Sequence, residues 1–223
     1  MANTQTEKTN NSILDAIYQR RAVRRYLNKP VSRELTEKIL DAGRMAPSAI
    51  NKQPWRFHIM DDPDSILILS ASILSSTRFN MLKEGLKEAV HTLLHPGSFH
   101  LKDALDFLRS EDPIFHGAPL VIFISSPIDS EWACMDVGMC AQNMMLAAWS
   151  MGLSSCPVGL AKFVEKSDHY ALLKVPNGHH VNLALIFGHS DENPEIHESN
   201  KTNAYWIPPI QKRRLDSRFS TLN

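Results

Sequence analysis

PLVIFISS, residues 119–126, and VNLALIFG, residues 181–188, are the two runs on which the fold turns. Both are short, almost wholly apolar and rich in β-branched residues, the composition of central strands covered on both faces. Between them lies WACMDVGMCAQNMMLAAWSMG, 132–152, which reads as a helix of about five turns with Gly152 placed to cap its C-terminus. Apolar side chains occupy almost every face of it, so it is expected to be buried nearly all round. In a chain of 223 residues such a helix is hard to hide inside one subunit, and packing against a second copy is the economical solution.

Outward from this centre, the pattern is of helices on two sides of a small sheet. Residues 12–20 and 31–46 read as helices; in the second, Ser32 is the candidate N-cap, Leu35, Ile39, Ala42 and Met45 form one stripe, and Pro47 ends it. RFHIM, 56–60, alternates like a strand, and residues 64–95 are mostly helical in pattern, with Asn80 and Lys83 three apart on one face. Residues 1–11 are a polar tail, and 12–223 form one domain without repeats or low-complexity linkers. No apolar run reaches the ~18 residues that span a bilayer and no secretory leader is visible, so a soluble, cytoplasmic protein is expected. Cys134, Cys140 and Cys156 match neither a disulfide framework nor a metal knuckle, and buried thiols are expected.

The chemistry concentrates in two segments. QRRAVRRY, 19–26, sets Arg20, Arg21, Arg24 and Arg25 close together, and APSAINKQPW, 46–55, follows with Pro47, Ser48, Asn51, Gln53 and Pro54 on a proline-stiffened turn. Arginine offers a permanent charge and a planar fork of donors suited to phosphate or to a conjugated carbonyl edge; the turn supplies short hydrogen-bonding side chains. A basic run taken alone is a solvated face or a nucleic-acid patch. Here 24 Lys and Arg balance 24 Asp and Glu, and a phosphate-backbone binder would show a broader positive field. A local cationic pocket in a neutral chain suits a small anionic ligand. Lys212, Arg213 and Arg214 form a second cationic knot, and Gly159 beside Pro157 can bring a bare backbone N–H close to a flat ligand. There is no GxGxxG and no GxxxxGK[ST]. His58, His100, His116, His179, His180 and His189 lack metal-ligand spacing, so no metal is expected.

In this order, QRRAVRRY, APSAINKQPW, the long helix ending in MGL, SSCPVG, the strand ending in FGH and the C-terminal Lys-x-Arg resemble the FMN-dependent nitroreductase family. The resemblance implies an α+β fold with a central mixed, mostly antiparallel sheet flanked by helices, and an intertwined homodimer with FMN at the interface. It implies that Arg20, Arg21 and Arg24 meet the FMN phosphate and the pyrimidine edge of the ring, with Ala22 contributing backbone where the family often has serine. Pro47, Ser48, Ala49, Asn51 and Gln53 would come from the partner subunit, Pro157, Val158 and Gly159 would lie along the ring, and Lys212 and Arg214 would close on the phosphate. Asn80 and Lys83 match only as Asn-x-x-Lys. The implied activity is a ping-pong oxidoreductase in which NAD(P)H supplies hydride and a nitroaromatic, quinone or similar electron-poor acceptor removes it, the cofactor rather than a protein nucleophile carrying the chemistry. A reduced-flavin-consuming or reductively dehalogenating relative on the same scaffold, and an anion- or nucleic-acid-binding module, are the alternatives. Residues 95–118 are where a substrate-selecting flap would sit.

Overall fold

The computed structural model describes residues 13–76, 112–196 and 201–208. Strands β1 (Arg56–Met60), β2 (Leu120–Pro127), β3 (Ser154–Val158) and β4 (His179–Gly188) form one sheet in the order β1-β2-β4-β3, every neighbouring pair antiparallel. The one parallel element among the described residues is an isolated bridge between Ala22 and Ser155. Helices flank the sheet: α1 (Ile13–Gln19), α2 (Arg33–Arg44), α3 (63–76) and α4 (Ala133–Ser150).

β2 shows why the apolar runs become central strands. Leu120 to Ser126 are all buried, and period-two alternation sends them to different layers. Leu120, Ile122 and Ile124 pack with Ile39 and Leu40 of α2 and Val137, Cys140 and Met144 of α4. Val121 and Phe123 pack on the opposite face with Ile66, Leu69 and Ile73 of α3 and with Ala161 and Val164. Each such side chain contributes roughly 1.5–3 kcal/mol on leaving water. A polar face on either side would forfeit half of this.

α2 starts where Ser32 accepts the Leu35 N–H through its hydroxyl at 3.3 Å. Thr36, Ile39, Leu40 and Gly43 make its buried face. Met45 does not join the expected stripe: the helix stops at Arg44, Met45 becomes the C-cap, and its side chain is 79% exposed. At Gly43 the packing against α4 is so close that a Cβ would stand 2.8 Å from Met144 Cγ.

Among the described residues of one chain, α4 is covered along one stripe. Ala133, Val137, Cys140, Ala141, Met144 and Ala148 are buried, while Cys134, Met135, Gly138 and Gln142 face outward and Met135 is 59% exposed. The C-terminus of α4 closes as expected: Gly152, at φ +76°, donates to the Trp149 carbonyl at 3.0 Å, and Leu153 donates to Ala148 at 2.9 Å. This is the Schellman pair, which requires a left-handed residue at Gly152. Cys140 and Cys156 are buried free thiols, whereas Cys134, on the open face of α4, is exposed. Among the described residues no helix is long and apolar enough to cross a membrane.

Candidate functional site

The arginine run leaves α1 as extended chain and lies along the outer edge of β3. Val23 donates its N–H to the Ser155 carbonyl at 3.2 Å next to the Ala22–Ser155 bridge. The parallel sense of that bridge carries residue 24 toward the end of β3, where Pro157 stands two residues, about 7 Å, beyond Ser155. On the other side, the chain leaving β4 laces the run in place. Glu192 accepts the Arg24 N–H at 2.9 Å, Ser190 donates to the Arg25 carbonyl at 2.6 Å, and Leu27 donates to the His189 carbonyl at 2.8 Å. Arg25 turns away and pairs with Asp191 at the surface, 3.1 Å apart.

Between these walls lies a cleft of about 970 Å³. Arg20, Arg21, Ala22 and Arg24 line it, with Ile17 and Tyr18 on the α1 side and Glu192, Pro194, Ile196 and Lys201 opposite. Arg21 donates to the carbonyls of Arg20 at 2.6 Å and Tyr18 at 2.7 Å, which folds the turn after α1 and leaves its Nε buried. Arg20 Nη1 and Arg21 Nε are buried with no hydrogen-bond partner among the described residues. Burial first, then the neighbouring Arg21 guanidinium, holds Arg20 below the usual arginine range. Two donors of like charge, desolvated and unpaired, are what an anionic oxygen satisfies. The nearby Cys156 thiol is pushed up by burial, against the pull of Arg24 and Arg20, so it stays protonated rather than serving as the counter-ion.

Pro157 is exposed and Val158 buried at the end of β3, and Gly159 opens the following 3-10 helix (Gly159–Lys166). A Cβ on Gly159 would meet nothing within 4 Å, so its backbone faces open space. None of these three residues lines the arginine cleft; Pro157 stands two residues along β3 from Ser155, the residue bridged to Ala22.

The second half of the expected site stands elsewhere. Ala46 and Trp55 are buried in the α2–α4 layer and pin the two ends of the Pro47–Gln53 turn, whose tip projects outward with Ile50 87% exposed. Ile50, Asn51 and Gln53 have φ of 47°, 56° and 45°. Left-handed backbone at non-glycine residues costs on the order of 1–3 kcal/mol each, and for a β-branched residue such as Ile50 it is a true outlier. Ser48 holds the turn from within, its hydroxyl accepting the Gln53 N–H at 2.9 Å and its carbonyl the Asn51 N–H at 2.9 Å, while Gln53 Nε2 donates to Asn51 Oδ1 at 2.9 Å. Ala49 is tied by its N–H to Asp136, in the first turn of α4.

That end of α4 is remote from the arginines. Cys134, in the same turn as Asp136, touches Asn182 of β4, whereas Ser155 pairs with Phe187, five residues or about 17 Å farther along the strand. None of residues 47–53 lines the arginine cleft. The two candidate segments thus stand at opposite ends of α4. Asn80, Lys83, Lys212 and Arg214, and residues 95–111 of the expected flap, lie outside the described residues.

Sequence reading missed Glu192, Lys201 and Asp136. Glu192 sits in a loop with no pattern of its own, and Asp136 is the lone acid of an otherwise apolar helix, the one signal that could have marked it. Among the described residues no group of three His, Cys, Asp or Glu is placed to hold a metal ion.

The described residues thus form a four-stranded antiparallel sheet flanked by helices, with a cationic, partly desolvated cleft at its β3 edge. The chain belongs to the nitroreductase family, whose model matches residues 17–189. It is 29% identical over 197 residues, 81% of this chain and 86% of the other, to a 4-nitrobenzoate reductase of Pseudomonas putida. Its fold matches a nitroreductase with bound FMN from Desulfitobacterium hafniense with a TM-score of 0.71 at 22% identity, covering 88% of this chain and 98% of that one. The FMN-dependent nitroreductase NfnB of Mycobacterium smegmatis, solved in complex with NADPH, aligns with a TM-score of 0.68 at 22% identity over 87% of this chain and 96% of that one.

Proposed function

We propose that the chain is an FMN-dependent oxidoreductase of the cytoplasm that works as a homodimer, taking hydride from NAD(P)H and delivering it to a nitroaromatic, a quinone or another electron-poor acceptor. The single observation that carries this reading is the pair of buried, unpartnered guanidinium donors, Arg20 Nη1 and Arg21 Nε, beside the cleft. The family, the FMN of one fold neighbour and the NADPH of another support FMN as the ligand of that cleft.

In this reading Arg20, Arg21 and Arg24 hold the phosphate and the pyrimidine edge of FMN, the Ala22 backbone lies against it, and Pro157, Val158 and Gly159 flank the ring. Lys212 and Arg214 are assigned to the phosphate, and Asn80 and Lys83 to further FMN contacts, by the family resemblance alone. When bound, FMN supplies hydride and electron transfer that no side chain here performs. The arginines contribute a preorganised positive field on the edge where negative charge develops, in a site from which water is partly excluded. NAD(P)H and acceptor occupy the same open face in turn, which gives ping-pong kinetics.

The partner's copy of the Pro47–Gln53 turn completes the site. Its support is the separation of the two half-sites within one chain, together with the open face of α4 and the exposed apolar residues of α1, Ile13, Leu14 and Tyr18, which a second copy would cover. Three free cysteines, one exposed, suit a reducing compartment.

The purified protein should be yellow, with flavin absorbance bands, or become so on adding FMN; it should then oxidise NAD(P)H in the presence of nitrobenzoates and quinones with parallel double-reciprocal plots. A colourless preparation that neither binds added FMN nor turns over would refute the reading.

A further inference from the structure

Asp136 does not line the arginine cleft, yet it is a carboxylate only 3% exposed in the first turn of α4. Its two oxygens lie 3.2 and 3.4 Å from one N–H, that of Ala49. Ala49 is the residue on which the outward turn enters its left-handed stretch, immediately before Ile50 and Asn51. The other hydrogen bonds of the turn run within it, between Ser48, Ala49, Asn51, Lys52 and Gln53. They fix its shape but not its direction. The buried carboxylate fixes the direction, because a charge in a low-dielectric site holds the Ala49 N–H, its one donor among the described residues, more firmly than a neutral acceptor would.

Resting on the reading that this turn meets the flavin of the partner subunit, we propose that Asp136 is a positioning residue for the cofactor. It touches no ligand; by gripping the Ala49 N–H it aims Ser48, Asn51 and Gln53 out of one subunit at the FMN held by the arginines of the other. The strained backbone of Ile50 would otherwise relax and swing those side chains away.

The experiment measures FMN affinity of the dimer by quenching of flavin fluorescence, and hydrogen exchange of the peptide 46–54 in the FMN-free protein. Asp136→Ala should weaken FMN binding about tenfold or more, as loss of a hydrogen bond to a charged group does, and should speed exchange of that peptide. Asp136→Asn, which keeps a neutral acceptor of the same shape, should recover part of both. Ala49→Pro removes the donor instead: Ser48 already has the extended backbone, φ −144° and ψ 155°, demanded before proline, and the first position of a helical turn accepts it. It should weaken FMN to a similar degree, and the double variant Ala49→Pro with Asp136→Ala should bind no worse than the weaker single one.

Unchanged affinity in Asp136→Ala, equal losses in the Asn and Ala variants, or additive losses in the double variant would each overturn the proposal. Failure of the wild-type protein to bind FMN would overturn the functional reading instead, and the exchange measurement on the FMN-free protein would still decide whether Asp136 holds the turn.

Discussion

Replacing Arg20 by alanine separates a ligand clamp from a structural charge. Its Nη1 is buried and unpartnered, and burial together with Arg21 disfavours its charged form, so the guanidinium weakens the ligand-free fold rather than supporting it. A donor of this kind that finds an anionic oxygen contributes about 1.5–3 kcal/mol net. At 1.4 kcal/mol per decade, Arg20→Ala should raise the FMN dissociation constant about 10- to 100-fold. The melting temperature of the FMN-free protein should hold or rise slightly. Arg25 is the internal control. It pairs with Asp191 at 3.1 Å with both side chains 67% exposed, a setting in which an ion pair contributes about 0–1 kcal/mol, so Arg25→Ala should bind FMN within about threefold of wild type. Fluorescence titration of the FMN-free proteins measures the first quantity and thermal denaturation the second. Wild-type affinity in Arg20→Ala, or an equal loss in Arg25→Ala, would refute the reasoning.

Gly43→Ala drives a Cβ to 2.8 Å from Met144 Cγ and 3.1 Å from Cys140 Sγ; overpacking of about 1–3 kcal/mol against a helix-propensity gain of about 1 leaves a net loss of about 1 kcal/mol in urea unfolding, and a net gain would mean that α2 and α4 are not held at this spacing. Gly152→Ala forces an L side chain to φ +76° at the end of α4 and should cost about 1–2 kcal/mol in the same assay, with Gly152→Asn costing less. His58 lies half-buried with its Nε2 2.8 Å from the Ser125 hydroxyl, and burial is the main cause that lowers its pKa below 6.5. The native state thus favours the neutral ring; as pH falls through 6.5 the unfolded chain takes up a proton that the native one refuses, so stability drops until the lower native value is passed. His58→Gln should flatten that part of the stability–pH curve, leaving the shares due to His116, His179 and His189, which burial also lowers; an unchanged slope would show that His58 does not contribute.

What the chain revealed before folding depended on how local the signal was. β2 and β4 were legible because strands buried on both faces must be apolar throughout, and α2 because a cap and a 3.6-residue stripe are written within 14 residues or so. Met45 misled because the stripe continued one position past the point where the helix stopped. On α4 the described residues cover one stripe, and its outer face, Met135 included, is the surface that the expected second copy would cover. β3 could not be read from SSCPV, since serines and a proline carry little strand signal; it exists through pairing with β4, with Pro157 at a sheet edge where its missing N–H matters least. The arginine cluster was visible as charge, yet its seat on β3 depends on the Ala22–Ser155 bridge across more than 130 positions, and the tie from Ala49 to Asp136 spans 87. Contacts of that reach leave no periodic trace.

The two half-sites at opposite ends of α4 carry a consequence for assembly. When each binding site is made from two subunits, cofactor binding and subunit association are linked reactions: whatever factor dimer formation adds to FMN affinity, FMN must add to the association constant. Dilution would then strip the cofactor from the protein, and an excess of FMN would hold the subunits together.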